Sequence, residues 1–95
     1  MTLTSLNQYG SHFQIKVLSS LLTHKDFLVN IHDILSEEYF DNQAHQWVIK
    51  EILRYYDKYH TTPSMDILKV EISKIENAVL KLSIREQLKA AYEAS

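Results

Sequence analysis

The chain has 95 residues and carries ten Lys plus Arg against twelve Asp plus Glu, a formal charge of -2, with one glycine, one proline and no cysteine. That length supports one hydrophobic core rather than two, and the absence of cysteine excludes a disulfide framework, a thiolate nucleophile and a Cys-based zinc site. A single glycine, Gly10, excludes Walker-type and dinucleotide loops, whose glycines let backbone amides wrap a phosphate.

Scarce glycine and proline predict an all-α fold of long helices with short connections. Residues 1–10 read as a flexible lead-in. The first helix opens at Ser11, with Ile15, Leu18, Leu21 and Leu22 on one face. After the polar break Thr23-His24-Lys25-Asp26, the residues Phe27, Leu28, Ile31, Ile34 and Leu35 form a second stripe. Ser36-Glu37-Glu38 has the form of a cap and an acidic first turn, opening at most one turn through Phe40. Asp41 is the expected N-cap of the longest helix, residues 42–60, because its carboxylate can accept from unpaired first-turn amides.

In that helix Val48, Ile49, Ile52, Tyr55, Tyr56 and Tyr59 fall within about 60° of one direction and predict a buried stripe. Trp47 projects roughly 140° from its centre. It sits among Lys50, Glu51, Arg54 and Lys58, and is expected to pack on a partner. Pro63 ends the helix and starts the next, with Thr62 or Ser64 as its cap. Two more helices follow, to about Lys74 and from about Asn77 to Ala94, joined tightly enough to require a hairpin or kink.

The expected architecture is therefore a small globule over about 11–60 and an antiparallel helical hairpin over about 63–94. Each hairpin helix has two apolar sides. Met65, Leu68, Ile72 and Ile75 share a face, while Ile67 and Val70 point away from it; Leu80, Ile84, Leu88 and Ala91 share another, with Val79 and Leu82 opposite. One side closes the hairpin. The other meets either the rest of the domain or another chain, the second case predicting a two-fold surface of Ile67, Val70, Val79 and Leu82.

No active site is expected within these residues. The five histidines, His12, His24, His32, His45 and His60, lack the i, i+4 spacing of a helix-borne metal site and read as surface or cap residues. Glu37 and Glu38 are adjacent and diverge on a helix. The run Tyr55-Tyr56-Asp57-Lys58-Tyr59 resembles a base-stacking element, but its rings fall on the core stripe. The acidic balance argues against a dedicated nucleic-acid surface. The N-terminus lacks a signal peptide and no window approaches a membrane span, so a cytoplasmic, membrane-free chain is expected.

The segment Phe13 to Leu22, the Glu38-Tyr39-Phe40 element, the Ala44-to-Tyr59 helix and the Tyr59-to-Ser64 turn resemble, in order and spacing, the N-terminal domain of DnaB-type replicative DNA helicases, closest to those of large tailed phages. The resemblance spans nearly the whole chain from residue 13. It implies a non-enzymatic collar domain that pairs subunits of a hexameric ring through the hairpin and contacts primase and a helicase loader during DNA replication. DNA, ATP and Mg would be handled by an ATPase domain beyond Ser95, leaving no cofactor here. The chain departs from the family after Glu71, where bacterial members often have a longer, glycine-containing connection. A free-standing helical adaptor or regulatory protein is the alternative.

Overall fold

The computed structural model describes residues 10–94. They form five α-helices and no strand: α1 Ser11–Thr23, α2 Lys25–Ile31, α3 Gln43–Tyr59, α4 Met65–Ser73 and α5 Ala78–Glu93, with a 3-10 turn at Glu37–Tyr39 between α2 and α3. The expected lead-in lies outside the described residues except for Gly10. There, φ of 87° suits a residue without a side chain.

Side chains that accept from first-turn amides set the starts of the 3-10 turn, α3, α4 and α5, whereas α1 and α2 begin without one. Ser36 Oγ accepts from the Glu38 amide at the 3-10 turn. At α3 the cap is Asn42 rather than Asp41. Its Oδ1 accepts from the amides of Ala44 and His45 at 2.7 and 3.3 Å. The Gln46 side-chain amide donates to the Phe40 carbonyl at 2.6 Å, tying this entry to the preceding turn. Between Thr62 and Ser64, the cap of α4 is Ser64, which accepts from the Ile67 amide. Thr62 instead donates to the Leu21 carbonyl at 3.3 Å, fastening the loop to α1. Asn77 caps α5 through the Leu80 amide at 2.9 Å.

The buried face of α1 is Gln14, Leu18 and Leu21, an i, i+4, i+7 row, so Gln14 takes the place expected for Ile15. Helix α2 ends at Ile31. The His32 and Leu35 amides bond back to Leu28 and Ile31, and the turn they make leaves Ile34 52% exposed although Leu35 is buried. The expected stripe through both residues therefore breaks. On α3, Ala44, Val48, Ile49 and Ile52 are buried, but Tyr55 and Tyr56 are half-buried and Tyr59 is exposed. The tyrosines of the predicted stripe thus lie at the margin of the core rather than inside it.

Helix α5 is the central packing element. Ile84, Leu88 and Ala91 are buried in the same core as Leu18, Leu21, Val48 and Ile52. Its main neighbours are α3 and α1, with α4 a lesser one. One core therefore joins the expected globule to the last helix, because the Leu80-to-Ala91 stripe is covered chiefly by the first and third helices.

Candidate functional site

Exposed large apolar residues occur on several elements, Phe13, Val29, Ile34 and Tyr59 among them, and three of the most exposed lie on the last two helices. Val70 is 57% exposed, Val79 81% and Leu82 57%, whereas Ile67 is half-buried. Ile67 lines a hollow of about 460 Å³ between α3 and α4, together with Tyr55, Tyr59 and the charged residues Glu51, Arg54 and Glu71. Arg54 lies 3.9 Å from Glu71, joining the two helices across it. Hydrogen bonding and the charge of Glu51 hold the Arg54 guanidinium above its ordinary pKa, so it stays cationic. Val79 borders a different hollow beside the start of α3, with Asn42, Gln43 and Asn77. Ile67 and Val79 thus edge separate depressions, with Val70 and Leu82 standing out as exposed side chains.

Trp47 is half-buried and packs against the hydrophobic core. Its flank of charged neighbours suggested an outward ring, but a side chain of this size reaches back over apolar surface from a position that a helical wheel counts as outside.

Two features escape the sequence pattern. A groove of about 660 Å³ runs between α4 and α5. Ile72 and Leu88 form its floor, half-buried Met65 and Tyr92 its walls, and Lys69, Arg85, Lys89 and Glu93 its edge. Burial raises the Tyr92 pKa, keeping its hydroxyl neutral. The signal was present in the i, i+3, i+4, i+7 spacing of Arg85, Leu88, Lys89 and Tyr92, but the mating face of α4 depends on how the two helices pack.

The second feature is His45, which is 1% exposed, against the expectation that the histidines serve at surfaces or caps. Its Nε2 donates to Gln87 Oε1 at 2.7 Å, bridging α3 and α5, while Nδ1 has no partner. Burial lowers its pKa below the ordinary 6.5, against the opposing pull of the Gln87 hydrogen bond and the Asp41 charge, so the ring is neutral. The cap expectation does suit His60. It ends α3 in a left-handed conformation with its amide bonded to the Tyr56 carbonyl.

Among the described residues no group of three His, Cys, Asp or Glu side chains is placed to hold a metal ion, and no helix is long and apolar enough to cross a membrane. No protein-family model, curated protein or solved structure matches this chain.

Proposed function

We propose that this domain is an association module, the N-terminal collar of a DnaB-type replicative helicase, which pairs with copies of itself through the outer sides of α4 and α5. The observation that carries the reading is the exposure of Val70, Val79 and Leu82, each more than half open to solvent. Uncovered branched aliphatic side chains on neighbouring elements mark a surface awaiting a partner. The order of elements that resembles the helicase collar supplies the identity of that partner: a second copy, within a hexameric ring. Primase and loader contacts, ATP and Mg handling by a following domain, and residence in the cytoplasm belong to the same proposal. The domain itself carries no catalysis in this reading.

Sedimentation equilibrium of the chain from micromolar to millimolar concentration tests the association. A dimer or larger species is expected, dissociated at least about tenfold more readily by Val79→Glu with Leu82→Glu, since charges on an apolar contact must be desolvated. Circular dichroism of the double variant should match the wild type, because both positions are exposed. A monomer throughout the series, or a variant that associates as well as the parent, would remove the proposal.

A further inference from the structure

The groove between α4 and α5 combines an apolar floor with a basic edge. Ile72 and Leu88 are closed off beneath Met65 and Tyr92, and Lys69, Arg85 and Lys89 stand exposed around them against one carboxylate, Glu93. Three cations against one anion is a local excess of positive charge on a chain whose formal charge is -2. The one internal neutralisation is weak: Lys89 and Glu93 lie 4.0 Å apart with both side chains largely in solvent. On α4 the groove-lining Met65, Lys69 and Ile72 lie about 130° around the helix from Val70, so on that helix the groove faces away from the residue assigned to self-association.

From this geometry we infer that the groove docks an acidic amphipathic helix of a partner protein. The depression is bounded by Met65 to Ile72 on one side and Arg85 to Glu93 on the other, roughly 11–12 Å of helix on each at 1.5 Å per residue. That length accommodates about two turns of a third helix, which would set apolar anchors at i, i+3, i+4 and i+7 onto Met65 and Tyr92. Carboxylates flanking those anchors meet Lys69, Arg85 and Lys89, whose long stems extend the apolar walls while their charged ends remain wet. A concave site between two helices favours an inserted helix over a membrane surface, which is met by a protruding apolar face. The inference stands without the self-association reading, and the two surfaces part on α4 while on α5 Arg85 and Lys89 follow Leu82 at i+3 and i+7.

The test uses the 95-residue chain and a fluorescein-labelled peptide of about 14 residues, with leucines at the anchor spacing and glutamates beside them on an alanine background. The glutamate peptide is expected to bind at least about tenfold more tightly than its lysine counterpart. Lys69→Glu with Arg85→Glu should reverse that preference, both positions being exposed and outside the core. Amide resonance shifts should concentrate in Met65 to Ile72 and Arg85 to Glu93. Charge-blind binding, no binding of the glutamate peptide, shifts centred elsewhere, or displacement of the peptide by phosphatidylserine vesicles would each overturn the inference. Loss of self-association with peptide binding intact would count against the collar reading alone.

Discussion

Replacing Gln14 should make the protein more stable. This side chain is 1% exposed, and neither its Oε1 nor its Nε2 has a hydrogen-bond partner. It sits in the row Gln14, Leu18, Leu21 that forms the buried face of α1, so the amide has lost water and received nothing in return. A buried polar group left unpaired costs about 1–3 kcal/mol. Methionine has nearly the same length and flexibility and carries no strong donor or acceptor, so Gln14→Met removes that cost without opening a cavity. The expected gain is about 1–3 kcal/mol, which for a domain of this size raises Tm by at least about 4 °C. Urea unfolding should show a higher midpoint at unchanged slope, the mark of altered stability rather than an altered denatured state. Gln14→Glu supplies the opposite arm, since a carboxylate at this position must either be buried as an ion or protonate, and it should destabilise markedly. If Gln14→Met is less stable than the parent, the amide is satisfied in solution and the reasoning fails.

Three other expectations follow from named contacts. His45 is neutral in the folded state and protonates below about pH 6.5 when unfolded. The unfolded chain then binds more protons, so its contribution to stability is complete above that pH and is lost as the pH falls from there toward the lowered folded pKa. Urea midpoints between about pH 5 and 8 should decline on the acid side for the parent and less steeply for His45→Gln; parallel curves would disprove the assignment. Asn42→Ala should cost about 1 kcal/mol in thermal unfolding through loss of the α3 cap, against within about 0.5 kcal/mol for Asp41→Ala, and a reversed order would restore Asp41 as the cap. Trp47→Ala should cost about 2 kcal/mol of stability because the ring covers the core, and an unchanged Tm accompanied by weakened self-association would return Trp47 to the partner surface.

The all-α class and the helix order were legible because apolar spacing and scarce glycine and proline both point to them, and local rules agree on such a chain. What the pattern leaves open is which face meets which. Leu80, Ile84, Leu88 and Ala91 announce a stripe whether α4 or the pair α1 and α3 covers it, and it is α1 and α3 that do so most extensively. The same limit explains Gln14 and His45. A polar residue within an apolar row reads as a break in the stripe, yet packing fixes the helix's rotation from the sum of its contacts and carries the polar residue inside with them. His45 then finds Gln87, 42 positions away, while Gln14 finds nothing. The α4/α5 groove has the same origin, since neither helix alone encloses it. Val70, Val79 and Leu82 were recognisable from the sequence as spare apolar surface because each helix already carried a better stripe elsewhere, so their exposure follows from an excess that the pattern itself contains. A surface of that kind is read from one helix at a time; a groove is read only from two.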